Sequence, residues 1–330
     1  MRHRRTRQRA LLWVLAFSLL STPLAASAQP ARAYRVGVVH IGGPFAAAAI
    51  EGLRDGLRDL GFEEGQHYAL LVRDAKGDLK AVEALARDLE RSSVDLIYSI
   101  AVSVTLAAKR GTTRVPIVFY AGGDPVALGL VETFRKPGGR LTGVHGQLTD
   151  LTAKRLELLK EIVPNLRRVV TFYNPENPAP LRSMKVGRDA ARRLNVEIVE
   201  REVRSPEALR AGLAALRPNE VDAFFHVGDA MVTSQVEAII EAARAKKLPT
   251  MFQDPATVAQ GGLAAYGTSL RAAGRLSAKQ VHRVLQGAAA GDLPVEQILR
   301  PSLALNLKTA KALSLTIPRS LVLRADEVVQ

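Results

Sequence analysis

The chain has 330 residues, with 46 Lys and Arg against 32 Asp and Glu, no Cys and one Trp. That length suits two domains of about 150 residues, and a 47% hydrophobic content supports a full core and excludes disorder on composition. Without Cys there is no disulfide scaffold, no Cys-ligated zinc or iron–sulfur site, no thiol nucleophile and no lipid-anchored Cys, and six scattered His leave little material for a metal cluster.

Arg2, Arg4, Arg5, Arg7 and Arg9 precede an apolar run over 10–20, a break at Pro23, and then Ala26-Ser27-Ala28. These are the three parts of a secretory signal peptide. The run is shorter than the roughly 20 apolar residues a membrane span needs. A leader over 1–28, cleaved near Ala28-Gln29, would place the rest of the chain in the periplasm. Losing its five arginines lowers the net charge from +14 to +9. The remaining basic residues sit singly on expected helix faces, as at Arg54, Arg58, Arg87, Lys154, Arg188 and Arg192. They form no long run and have few aromatics beside them, so a solvated surface is expected and no nucleic-acid partner.

The rest alternates apolar strands with amphipathic helices. A β-branched run over 34–41 reads as a buried strand. The next helix puts Ile50, Leu53, Leu57 and Leu60 on one face and stops at Gly61. A strand follows over 67–73, then a helix capped by Asp78 with Val82, Leu85 and Leu89 inside. Strands over 94–98 and 116–120 flank a helix over 102–110. The rhythm pauses at Pro137-Gly138-Gly139 and restarts near 145. A helix carries Leu156, Leu159 and Val163, and a strand spans 168–173. A helix over 178–194 leads to a strand over 196–203. Ser205-Pro206-Glu207 opens another helix, with Pro at its first position. A strand over 221–225, a helix over 232–245, strands over 249–252 and 262–266, and a long helix over 269–289 complete the pattern. Strands alternating with helices imply parallel sheets covered on both faces, and the restart implies two of them.

In open α/β sheets ligands lie beyond the carboxyl ends of the strands. The residues there are the candidate site. Gly42 and Gly43 let backbone N–H groups approach closely. Phe45 and Tyr120 offer surfaces for a ring. Ile100 lies at the end of the third strand, and Ser103 and Thr105 lie at a helix start that favours a carboxylate. Asp124, Asp229 and Asp254 can accept from an amine or hydroxyls, and Asn174 and Gln253 complete the set. Each also has an ordinary turn or cap role. No phosphate-binding glycine fingerprint, no G-x-S-x-G elbow and no H-E-x-x-H is present, and the His residues miss metal-ligand spacings. No catalytic residue, metal or cofactor is expected.

Several stretches then carry a resemblance. They include Gly56-Leu57-Arg58-Asp59-Leu60-Gly61-Phe62, Gly123-Asp124-Pro125-Val126, Lys154-Arg155-Leu156-Glu157-Leu158-Leu159-Lys160 and Tyr173-Asn174-Pro175-Glu176-Asn177-Pro178. The most specific is the tail, Asn306-Leu307-Lys308-Thr309-Ala310-Lys311-Ala312-Leu313 with Thr316-Ile317-Pro318 and Leu323-Arg324-Ala325-Asp326-Glu327-Val328. In this order they resemble the periplasmic substrate-binding proteins of ABC transporters, in the family that includes TrpX-type proteins. The resemblance implies an α/β type I periplasmic-binding-protein fold, two doubly wound parallel-sheet lobes joined by a three-crossover hinge. Lobe I would take 29–144 plus 269–299, and lobe II 145–268 plus 300–330, with crossovers near Val144, Gly267 and Leu299. It implies a monomer that captures a small solute by hinge closure and hands it to the transmembrane subunits of an ABC permease. An amino acid, aromatic or branched, is the solute class it suggests, with Asp124 and Asp229 at its amine and Ser103 at its carboxylate. Where many relatives read Ser-Gly-Thr-Pro-Ala-Thr, this chain has Ser99-Ile100-Ala101-Val102-Ser103-Val104-Thr105. The competing readings are a sensor presenting ligand to a receptor, and a secreted hydrolase or isomerase using Asp229 with His226.

Overall fold

The computed structural model describes residues 32–330, so the expected leader lies outside the described residues. Runs rich in Val, Ile, Phe and Tyr form strands buried on both faces, as parallel sheets between helix layers require. The first set is β1 (Tyr34–His40), β2 (Tyr68–Asp74), β3 (Leu96–Ile100), β4 (Ile117–Ala121) and β5 (Leu141–His145). Between the first four run α1 (Pro44–Asp59), α2 (Ala81–Arg91) and α3 (Val102–Gly111). With β11 (Glu296–Gln297) they make a six-stranded sheet in the order β11-β5-β4-β3-β1-β2, parallel throughout.

The second sheet holds β6 (Arg168–Tyr173), β7 (Glu197–Glu202), β8 (Ala223–Phe225), β9 (Thr250–Phe252), β10 (Ala264–Gly267), β12 (Ser302–Asn306) and β13 (Glu327–Val329). Its order is β13-β12-β10-β9-β8-β6-β7, and only the β10–β12 pair is antiparallel. The helices of this half are α4 (Leu151–Ile162), α5 (Pro178–Leu194), α6 (Pro206–Ala215), α7 (Ala230–Ser234), α8 (Val236–Ala245) and α9 (Ala256–Ala259). The chain passes between the sheets after β5, after β10 and after β11. After the second passage, α10 (Leu270–Leu285) returns to the first sheet. After the third, α11 (Leu307–Ala312) and α12 (Arg319–Arg324) close the chain. Among the described residues no helix is long and apolar enough to cross a membrane.

Helix α10 lies almost backbone to backbone on α1. A Cβ on Gly52 would stand 1.9 Å from the Arg271 carbonyl oxygen, and one on Gly274 1.9 Å from that of Ala49. Asp55 and Arg271 pair at the rim of this contact. Gly52→Ala should therefore push the helices apart and cost roughly 2–3 kcal/mol, as overpacking does. Urea unfolding of the variant measures it.

Three local expectations are corrected. The pause near 137–145 contains a strand, β5, because Gly143 lets the chain run beneath the Phe119 carbonyl oxygen between β4 and β11. The helix expected over 232–245 is two helices broken at Gln235. There Thr233 Oγ1 donates to Asp229 O, and Ser234 Oγ donates to Met231 O, which bends the turn. The long helix stops at Leu285, where Gly287 turns with φ of 93°.

Candidate functional site

The carboxyl ends of both sheets face one cavity. It encloses about 660 Å³ of space counting its open side, of which about 60 Å³ can hold the centres of water molecules. Its apolar wall includes Phe45, Tyr120, Leu148 and Leu270, and its polar groups include Ser103, Thr149, Ser183, Thr233, Thr268, Gln253, Asp229 and Asp254. Contacts from opposite lobes close it. Gly43 abuts the Ser234 backbone, Gly77 abuts Pro206, and Arg182 Nη2 donates to Ala127 O at 2.6 Å.

On the first lobe the site is a helix start. Helix α3 has no side-chain cap, and its N-cap residue is Ala101. Its first-turn N–H groups and dipole therefore favour a negative group. Ser103 Oγ beside them is buried without a partner. Ala101 holds φ 95° and ψ 149°, a conformation suited to Gly. Ala101→Gly should stabilise the protein by about 1–2 kcal/mol, read as a raised urea midpoint.

On the second lobe the site is acidic. Asp254 Oδ1 accepts the Ala256 N–H at 3.1 Å, and Oδ2 accepts no hydrogen bond among the described residues. Burial pushes its carboxyl up to about 6. Gln253 Oε1 is buried and unpartnered next to it. Asp229 is differently placed. Its Oδ1 accepts the Val232 N–H at 3.0 Å, and Oδ2 accepts Asn174 N–H and Asn177 Nδ2, each at 3.1 Å. Burial raises it too, but those bonds oppose the rise. It caps α7 and ties two loops, which leaves little acceptor capacity for a solute.

Of the residues expected from the sequence, Phe45, Ser103, Tyr120, Asp229, Gln253 and Asp254 line this cavity. The others do not. Gly42 N–H donates to His40 Nδ1 beside Asp74, and Gly43 is spent on the contact with Ser234. Ile100 ends β3 with no exposure, and Ala101 forms the wall in its place. Asp124 Oδ1 accepts the N–H groups of Val126 and Ala127, and Asp124 lines a separate surface cavity with Phe134 and His145. Asn174 is buried in its own turn, accepting the Glu176 N–H. Leu148, Thr149 and Thr268 were missed, though they too follow strand ends. Recognising β5 and counting the end of β10 would have found them.

His226 stacks near Phe224 and Phe252, and its Nε2 lies 3.1 Å from Thr233 Oγ1. Because Thr233 gives its hydrogen to Asp229 O, Nε2 is assigned as the donor, which leaves Nδ1 a bare acceptor. Burial, then the charge of Arg155, pushes the ring down to about 3. Neither Asp229 oxygen bonds it. The acid–base pair that a hydrolase reading required is not assembled.

Two α/β lobes of type I periplasmic-binding-protein form enclose a small cavity, an arrangement suited to holding a small solute. The family model for the ABC transporter substrate binding protein matches residues 35–329, and the chain belongs to that family. Members are solute binders rather than enzymes, and typically act outside the cytoplasm. The chain is similar to the tyrosine-binding protein of Clostridioides difficile (strain R20291), 27% identical over 267 residues, covering 81% of this chain and 76% of that one. A conserved domain protein from Vibrio cholerae O1 biovar eltor superposes with a TM-score of 0.81 at 27% identity, covering 90% of this chain and all of the other. An ABC domain from Streptococcus pneumonia, solved with L-Trp, superposes with a TM-score of 0.80 at 24% identity over the same shares.

Proposed function

We propose that this protein captures an aromatic amino acid in its zwitterionic form, closes on it, and delivers it to an ABC permease. One observation carries the reading: the two poles of the cavity lie on opposite lobes. The ligand carboxylate takes the α3 start and Ser103 Oγ. The ammonium takes Asp254 Oδ2 and Gln253 Oε1. Phe45, Tyr120, Leu148 and Leu270 take the ring. A molecule holding both poles contacts both lobes, and only such differential contact shifts a two-state hinge toward closure. The relative that binds tyrosine supports the same solute class. In this reading the leader over 1–28 exports the chain to the periplasm, where it works as a monomer.

The only Trp, Trp13, lies in that leader, so residues 29–330 are free of tryptophan emission. Added L-tryptophan can be followed directly by its own fluorescence, and L-tyrosine by calorimetry. Binding of either, with ligand recovered unchanged, is the expected result. A protein refolded free of co-purified solute that binds neither, yet binds a sugar or purine, would overturn the reading.

A further inference from the structure

Arg155, on α4, is the largest side chain in the structure without solvent exposure. Among the described residues it has no acidic partner within ion-pair distance. Nη2 donates to Leu148 O at 3.1 Å and to Thr152 Oγ1 at 2.9 Å, while Nε and Nη1 have no partner among the described residues. Burial brings the guanidinium down to about 9, so it stays cationic at neutral pH. A buried cation without a counter-ion is costly, and an apolar side chain of similar volume is often the more stable choice.

Its position gives the charge a use. Leu148, whose carbonyl it holds, is part of the cavity wall, and Tyr120, also in the wall, feels its charge. The wall carries two carboxylates, Asp229 and Asp254, and no basic side chain. Acting alone, those carboxylates would favour an amine that lacks a carboxylate. One cation behind the wall, whose charge reaches Tyr120 and His226, adds a positive field there, in a buried setting where charges are weakly screened. We propose that Arg155 sets the charge selectivity of the cleft, making it prefer a zwitterionic amino acid to the corresponding amine. It acts through its field and through the Leu148 carbonyl rather than by touching the solute. The inference rests on the amino-acid reading above.

The test compares L-tyrosine with tyramine, and L-tryptophan with tryptamine, by calorimetry on wild type, Arg155→Met and Arg155→Lys. Wild type should prefer the amino acid. Arg155→Met should lower that preference about tenfold or more, and Arg155→Lys should restore it to within about threefold. Circular dichroism establishes folding, and Arg155→Gln replaces the Met variant if that one does not fold. A purely structural arginine would weaken both members of a pair alike. An unchanged ratio in a folded neutral variant overturns the inference and leaves the amino-acid reading intact. If wild type binds none of the four probes, the amino-acid reading fails and the inference with it.

Discussion

Asp254→Asn is expected to weaken L-tyrosine or L-tryptophan binding about 100-fold or more, while leaving the ligand-free protein as stable as wild type or more so. The two effects have one cause. Without ligand, the carboxylate is buried with one oxygen unserved, and its pKa rises to about 6. The folded state then binds more protons than the unfolded chain between about pH 4 and pH 6. The contribution of this group to stability therefore falls as pH rises through that window. Above it the ionised group costs on the order of 2–3 kcal/mol, which an amide would not. With ligand, the same charge meets an ammonium in a closed site. Removing one partner of such a pair costs about 3 kcal/mol, or a hundredfold in affinity. The ammonium needs the ionised carboxylate, so wild-type affinity should drop as pH falls below about 6, reaching about tenfold at pH 5. The variant should lack that dependence. Calorimetry at pH 7.5 and 5.0, with urea unfolding of both ligand-free proteins, measures all of this. Equal affinities for the two proteins at pH 7.5 would remove Asp254 from the amine site.

Gly43→Val should hold the lobes apart. A Cβ at this position would stand 2.7 Å from both Cα and O of Ser234, backbone atoms on the facing lobe that cannot rotate away. Gly43 also has φ of 82°, so the substitution strains the start of α1 whatever the hinge does. Solution scattering separates the two consequences. Strain alone lowers the unfolding midpoint but leaves the ligand-induced fall in radius of gyration. Blocked closure abolishes that fall and weakens binding by roughly tenfold or more, since contacts from one lobe are lost. A variant that still contracts on adding L-tyrosine would refute the role given to the Gly43–Ser234 contact. Gly43 was expected to approach a solute. It approaches the other lobe instead, and both uses rest on the absence of a side chain.

Alternating β-branched runs and amphipathic helices were enough to read the α/β class and the pair of sheets, because the period of apolar residues is a local property of the chain. Some helix starts were readable for the same reason, though not the cap expected at Asp78, which lies two residues before the N-cap Lys80 and whose side chain accepts only the Lys80 N–H. Asn177, Ser205 and Ser269 each accept an N–H from their own first turn. Strand β5 was hidden, since Gly143 weakens its local preference and the pairing with β4 and β11 supplies the order. The strand-end rule picked out Phe45, Ser103, Asp229, Gln253 and Asp254, which share one cavity, because the carboxyl edge of a parallel sheet is a matter of topology. It could not rank the three aspartates. Asp124, Asp229 and Asp254 each sit in a turn-like setting that looks alike in sequence. Asp124 turned out to serve a turn outside this cavity, Asp229 a helix cap, and of the two that line the cavity only Asp254 keeps an oxygen free. Arg155 showed the same limit from the other side, as one more basic residue on a helix rich in Leu and Lys. Folding carried it into the interior behind the cavity wall, where burial gives a charge its strength. Periodicity and caps act between near neighbours and are written into the chain. The charged groups around the cleft, Arg155, Asp229 and Asp254, lie between 25 and 99 positions apart, and they are gathered only once the second sheet and its helices have packed.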